Sequence, residues 1–253
     1  LFRQHFGMAV RHGDPAPNAA ALGVVASTLQ LVQQGATHLG VASDHVIESF
    51  RNDLYAGYKT SEGMEPVLLE QIPVMEHLLA LAGFTVWPMV EHEADDALGS
   101  AAAAAEADQR VEQVLIVTPD KDLGQCVRGT RVVQYDRRKD EIIDEAAVEA
   151  RFGVPPSSIA DYLGLVGDSA DGFPGLPGWG AKSAAAVLSR YGRLEERFRQ
   201  FRMEQQLRAQ QGEIASGLVL VAQDADLLAA AVLDHLGRDL GRGERGGIGG
   251  DGV

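Results

Sequence analysis

Along the chain, short β-leaning runs alternate with longer helical ones. Thr37 to Ala42 (THLGVA) reads as a strand that ends at Ser43-Asp44. Val67, Leu68, Ile72, Met75, Leu78 and Leu79 recur at helical spacing over Pro66 to Ala82, and Gly83 supplies a C-terminal cap. Phe84 to Val90 (FTVWPMV) reads as a strand, with Pro88 pointing to an edge position. Glu93 to Ala107 is helical. Val114 to Val117 (VLIV) is a continuous apolar run, expected as a strand buried on both faces. Arg131 to Tyr135 and Ile142-Ile143 add two more strands. This alternation predicts an α/β sheet with helices on both faces.

From about residue 144 the pattern turns helical, with Gly- and Pro-rich turns. Ile159 to Val166 and Ala181 to Tyr191 read as helices flanking a Gly/Pro-rich loop. Three segments are expected: a core over 1-143, a helical subdomain over 144-198, and 199-253 with a helix near Leu218 to Leu236 and a disordered Gly-rich tail.

Composition adds constraints. The 253-residue chain is 45% hydrophobic and 23% charged, ordinary for a globular enzyme. A single cysteine, Cys126, excludes an internal disulfide and a cysteine-rich zinc cluster. The seven histidines lack metal-ligand spacing. Without a signal peptide or a long apolar run, a cytoplasmic, membrane-free and monomeric protein is expected. A net charge of −14 argues against nucleic acid, unless the carboxylates gather around cations that reverse the local field.

The acidic residues favour that second option. Asp44 ends a strand, Glu93, Asp95 and Asp96 open a helix after another, and Asp120 and Asp122 follow a third. In an open α/β sheet, ligands bind beyond the carboxyl ends of the strands. Asp168 and Asp171 lie in the loop between two helices. Glu93 and Asp96 share a helix face, and Asp120 and Asp122 share one in extended chain. All-oxygen ligands select Mg²⁺ or Mn²⁺, and two such ions about 4 Å apart suit phosphodiester hydrolysis. Singly, these motifs also read as a helix N-terminus, a solvated loop or a turn. Their joint order points to metal.

The motifs S-D-x5-F-R-x-x-L-Y-x-x-Y-K (Asp44 to Lys59), E-A-D-D (Glu93 to Asp96), T-P-D-K-D-L-x-Q (Thr118 to Gln125) and G-D-S-A-D-G-F-P-G-L-P-G-W-G-A-K-S-A (Gly167 to Ala184) resemble the 5′ nuclease family. That family includes the N-terminal domain of bacterial DNA polymerase I, phage 5′ nucleases and flap endonucleases. The resemblance implies a PIN-like core and a helix–three-turn–helix element. It implies metal-site roles for Asp44, Glu93, Asp95, Asp96, Asp120, Asp122, Asp168 and Asp171. It places Arg51 and Lys59 on a helical arch near the scissile phosphate, although by themselves they read as solvated surface charges. Gly175, Gly178, Gly180, Lys182 and Ser183 would meet DNA phosphates, helped by helix N-terminal amides. Main-chain carbonyls of Leu165, Val166, Pro174, Leu176 and Trp179 match a K⁺ site in the family, or form a plain turn.

The implied activity is metal-dependent cleavage of DNA at 5′ flaps, nicks or free 5′ ends, in replication and repair. A catalytically impaired junction binder and a PIN-domain RNase are the alternatives. The family's first strand carries a further Asp. Here only Asp14 precedes Asp44, in a Pro-rich loop, and Leu1-Phe2-Arg3 resembles the helix after that strand, so an N-terminally truncated, stand-alone member is expected. Glu62, where polymerase-type members often carry Arg, weakens the basic arch.

Overall fold

A computed structural model describes residues 1–12, 17–194 and 199. Asp14, the helix expected near Leu218 to Leu236 and the Gly-rich tail lie outside the described residues.

Two helices, α1 (Phe2–His12) and α2 (Ala19–Gln33), precede the first strand, β1 (Gly40–Asp44). A five-residue helix, α3 (Phe50–Leu54), follows, then α4 (Pro66–Leu81). Pro66 presets the first turn of α4, and Gly83 follows the helix with φ 88°. Leu68, Ile72, Met75 and Leu79 form its buried stripe. Ala21 of α2 packs with Met75 and Leu79, and its backbone N–H donates to Gln71 Oε1 at 3.2 Å.

β2 (Thr85–Met89) pairs parallel to β1, with Asp44 opposite Met89. β1 therefore begins at Gly40, later than the run Thr37 to Ala42 suggests, because its partner begins only at Thr85 after the turn that closes α4. Helix α5 (Ala94–Ala107) starts directly beyond β2. β3 (Val114–Ile116) lies parallel to β4 (Val132–Asp136), and β5 (Glu141–Ile143) runs antiparallel to β4. The expected single sheet is thus two small sheets, β1-β2 and β3-β4-β5.

The VLIV run is not buried on both faces. Ile116 packs on Ala102 of α5, whereas Leu115 is 42% exposed on the opposite face. Alternation along the strand sends neighbouring side chains to opposite faces, and α5 covers only one.

Helices α6 (Glu145–Phe152), α7 (Ile159–Val166) and α8 (Ala181–Tyr191) complete the described chain. Asp144 caps α6 by accepting from the Ala147 N–H at 2.9 Å. Val127, Ile143, Val148, Ile159, Leu165 and Leu188 join these helices to the second sheet in one apolar cluster. This packing fixes the loop between α7 and α8 against the strand ends.

Candidate metal and nucleic-acid site

Each acidic motif occupies the end of an element. Asp44 closes β1 and accepts the Ala94 N–H at 2.7 Å, tying that strand to the start of α5. Glu93 is the N-cap of α5, and Asp96 reaches back to the Glu93 N–H at 2.9 Å in a capping box. Asp120 follows β3. Its Oδ1 accepts the Asp122 N–H at 3.1 Å, which folds the chain into a 3-10 turn at Asp122–Cys126. This corrects the extended geometry expected for Asp120 and Asp122. Asp168 sits just after α7 and accepts the Ala170 N–H at 2.9 Å.

The carboxylates divide into paired and unpaired sets. Arg51 grips Asp96 through two hydrogen bonds of 2.8 Å. That fork holds the Asp96 carboxyl below its usual range. Glu93, 6% exposed at its side chain, lies 3.0 Å from Lys59 Nζ. Ser49 Oγ donates to it at 2.7 Å and Tyr58 Oη at 3.2 Å. Burial works to raise the Glu93 carboxyl, but the bonds from Ser49 and Lys59 outweigh it and lower it. Lys121 Nζ meets Asp168 at 2.6 Å and overcomes burial in the same way, so Asp168 is also lowered.

At Asp44, Asp95 and Asp122 burial wins over the groups that favour the charge, which are the Ala94 N–H and Lys59 for Asp44, Lys59 for Asp95 and Lys121 for Asp122. Burial raises Asp44. Burial, then the nearby Asp120, pushes Asp95 up to about 6. Asp122 rises to about 7, through burial followed by repulsion from Asp120, Asp168 and Asp171. Asp122 Oδ1 is buried with no hydrogen-bond partner. Oxygens of Asp122, Asp168 and Asp171 lie within 4.8 Å of one another. Asp120 acts on both Asp95 and Asp122, so it stands between two acidic groups. An orphaned buried oxygen among like charges fits a hard divalent cation, which would satisfy the oxygen and cancel the repulsion.

Arg51 and Lys59 do not stand on a long arch. Arg51 belongs to the five-residue α3, and the chain from 55 to 65 is turn and coil. Both cations instead face the carboxylates, which departs from solvated surface charges as well. Sequence reasoning gives no role to Ser49, Tyr58 or Lys121, although Tyr58 and Lys121 stand inside the quoted motifs; the position of Tyr58 beside Lys59 and of Lys121 between two aspartates is the signal available for them.

In the loop before α8, Gly175 adopts φ 69° and Gly178 φ 83°. A Cβ on Gly175 would lie 2.5 Å from the Val166 carbonyl carbon, so only glycine lets the two loop backbones approach. Gly180 caps α8, and Lys182 is exposed on its first turn. Ser183 Oγ is engaged within the cap, 3.0 Å from Gly180 N and from Gly180 O. The Leu165 and Leu176 carbonyls already accept the N–H groups of Leu176 and Trp179, at 2.9 and 3.1 Å.

A parallel-stranded α/β core with acidic strand ends, followed by helices around a glycine-rich loop, defines a PIN-like nuclease fold. A phage T5 flap endonuclease, in a product-like complex with DNA and metal ions, shares it at a TM-score of 0.62 and 16% identity, covering 93% of this chain and 84% of that one. The family description "5′-3′ exonuclease, N-terminal resolvase-like domain" matches residues 1–153, and "5′-3′ exonuclease, C-terminal SAM fold" matches 154–237. The 5′-3′ exonuclease of Aquifex aeolicus is 36% identical over 71% of this chain and 62% of its own length. DNA polymerase I of Mycobacterium leprae is 35% identical over 70% of this chain and 20% of its own length. The chain belongs to the 5′-3′ exonuclease family, and it spans less than two thirds of these curated relatives. Among the described residues, no helix is long and apolar enough to cross a membrane.

Proposed function

We propose that this chain is a structure-specific 5′ nuclease that hydrolyses DNA phosphodiester bonds with two divalent cations. The observation that carries the reading is the unpartnered, buried Asp122 oxygen among Asp120, Asp168 and Asp171. Asp122, Asp168 and Asp171 would hold one Mg²⁺ or Mn²⁺; Asp44, Asp95 and Asp120 would hold the other. Bound there, the ions supply an activated water and charge stabilisation at the departing oxygen. Glu93, buried, and Asp96, half-buried, act differently, as counter-charges that orient Lys59 and Arg51 toward the reacting phosphate.

Gly175, Gly178, Gly180 and Lys182 would take backbone phosphates of the duplex with the amides at the start of α8. Ser183 would support them by fixing that cap. The Leu165, Val166, Pro174, Leu176 and Trp179 carbonyls would hold K⁺ beneath the loop. Such contacts suit DNA with a 5′ flap, a nick or a free 5′ end, met during intracellular replication and repair.

The reading is tested by comparing a 5′-flap DNA, an intact duplex and a single-stranded RNA in Mg²⁺. Release of short 5′ products from the flap alone supports it. Preferential RNA cleavage favours a PIN-domain RNase, and flap binding without cleavage a junction binder; either outcome refutes it.

A further inference from the structure

Beside the carboxylates lies a pocket of about 370 Å³ whose lining joins the motif residues after β3 and α7 to Arg3, Asp136, Arg138, Lys139 and Arg151, which no motif above includes. Its lining carries five cationic side chains: Arg3, Lys121, Arg138, Lys139 and Arg151. Three carboxylates, Asp120, Asp136 and Asp168, face the same space, leaving an excess of two positive charges. In a chain with a net charge of −14, that local reversal is conspicuous. Asp120, Lys121 and Asp168 border both this pocket and the acidic site, so the two are continuous.

The basic groups come from separate parts of the fold: α1, the loop after β3, the β4–β5 hairpin and α6. The hairpin is braced. Arg137 reaches away from the pocket to α2, donating to the Ser27 carbonyl at 2.8 Å and to Gln30 Oε1 at 3.1 Å. Asp140 closes the turn at φ 53°, and its Oδ1 accepts the Tyr135 hydroxyl at 2.7 Å. Arg138 and Lys139 are thereby presented on a fixed turn. Their own acidic partners are weak: Arg138 Nη2 is 3.9 Å from Asp136, and Lys139 Nζ is 3.7 Å from Glu141. Both side chains are more than half exposed, at 66% and 51%. α1, which brings Arg3, is anchored by His5 at 3.3 Å from Glu65.

Cations from four parts of the fold line one concavity, with Arg138 and Lys139 only loosely paired, and form a receptor for an oxyanion. We infer that this pocket binds a phosphate of the nucleic-acid strand whose neighbouring phosphodiester enters the carboxylate site, an inference that rests on the nuclease reading. That phosphate is either a terminal 5′-monophosphate or an internal diester, which share the same chemistry. The pocket gives an acidic protein a local grip on its polyanionic substrate. Arg138 and Lys139 are positioning residues: they hold the strand and do not touch the reacting atoms.

Binding of fluorescent 5′-flap DNA, 5′-phosphorylated or 5′-hydroxyl, is measured by anisotropy in Ca²⁺ over a KCl series. Compared are the wild type, an Arg138→Ala/Lys139→Ala double variant and Arg110→Ala, which removes an exposed cation at the opposite, amino-terminal end of β3. The double variant is expected to bind about 5–10-fold more weakly, and its slope of log affinity against log salt to fall by about 2, roughly one per phosphate-contacting cation removed. Arg110→Ala is expected to behave as wild type. Loss of the preference between phosphorylated and hydroxyl flaps assigns the pocket to the 5′-monophosphate, and equal weakening of both assigns it to a diester. Unchanged affinity and slope in the double variant, or equal weakening by Arg110→Ala, would overturn the pocket alone. Failure of the wild type to bind either flap would overturn both the pocket and the nuclease reading.

Discussion

Lys59 joins the chain ahead of α4 to the loop between α7 and α8: its Nζ lies 3.0 Å from Asp171 Oδ1, and its backbone N–H donates to the Asp171 carbonyl at 3.1 Å. The same ammonium lies 3.0 Å from the buried Glu93. One side chain therefore connects the core, the helix N-terminus at α5 and the glycine-rich loop. Burial opposes its charge, but the bonds to Glu93 and Asp171 more than offset that and raise its pKa.

Lys59→Met leaves Glu93 buried without its ammonium partner. The expected loss is about 2 kcal/mol, below the range for a fully buried pair because Lys59 is 29% exposed. By calorimetry this is a fall of roughly 4–8 °C in Tm. Lys59→Arg should recover part of it. A Met variant as stable as the wild type would show that the Lys59 bridges are structurally idle.

The metal-free protein should lose stability as pH rises through the neutral range. Asp95, at about 6, and Asp122, at about 7, keep their protons in the folded state after the unfolded chain has released them at about pH 4. Between those limits the folded state binds more protons, so unfolding becomes easier with rising pH. The lowered carboxyls, Glu93, Asp96 and Asp168, act only below about pH 4 and do not offset this. Urea midpoints in EDTA should be lower at pH 8 than at pH 5. Divalent cation at 100 times its Kd should add about 2.7 kcal/mol at pH 8. A midpoint that rises with pH in EDTA would contradict the unpaired burial of these two groups.

Gly175→Ala and Gly178→Ala separate crowding from backbone strain. Both positions have positive φ, but only at Gly175 would the added Cβ meet the opposing backbone, at 2.5 Å, while nothing lies within 4 Å at Gly178. Gly175→Ala should cost about 3 kcal/mol and Gly178→Ala about 1 kcal/mol. Equal Tm losses for the two variants would refute the close approach of Gly175 to Val166.

Much of this site was legible because its residues fall at element ends that sequence marks well. Pro66 and Gly83 punctuate α4, and Gly180 and Gly192 bracket α8, so those helices follow the chain's own signals. The acidic motifs could be placed at strand ends for the same reason. Their pairing could not. Whether Asp96 meets a cation depends on Arg51, 45 residues away, and the partition into paired and unpaired carboxylates is tertiary. The exposure of Leu115 was hidden because an apolar run does not reveal how many faces its neighbours cover. The turn at Asp122 was missed because a local hydrogen bond from its own N–H to Asp120 overrode the extended chain. The basic pocket was invisible because Lys121 is joined there by cations from α1, a hairpin and α6, each unremarkable alone.

The most direct measurement is release of product from a 5′-labelled flap DNA by the wild type and by Asp122→Asn, in Mg²⁺ and in EDTA. Cleavage by the wild type that needs Mg²⁺, with a fall of at least about 100-fold in Asp122→Asn, is the predicted result. Asp122→Asn should also be no less stable than the wild type in EDTA at pH 8, since it removes a charge whose burial and acidic neighbours outweigh the help of Lys121. Full activity in Asp122→Asn, or cleavage by the wild type that persists in EDTA, would contradict a metal-dependent nuclease built on this carboxylate.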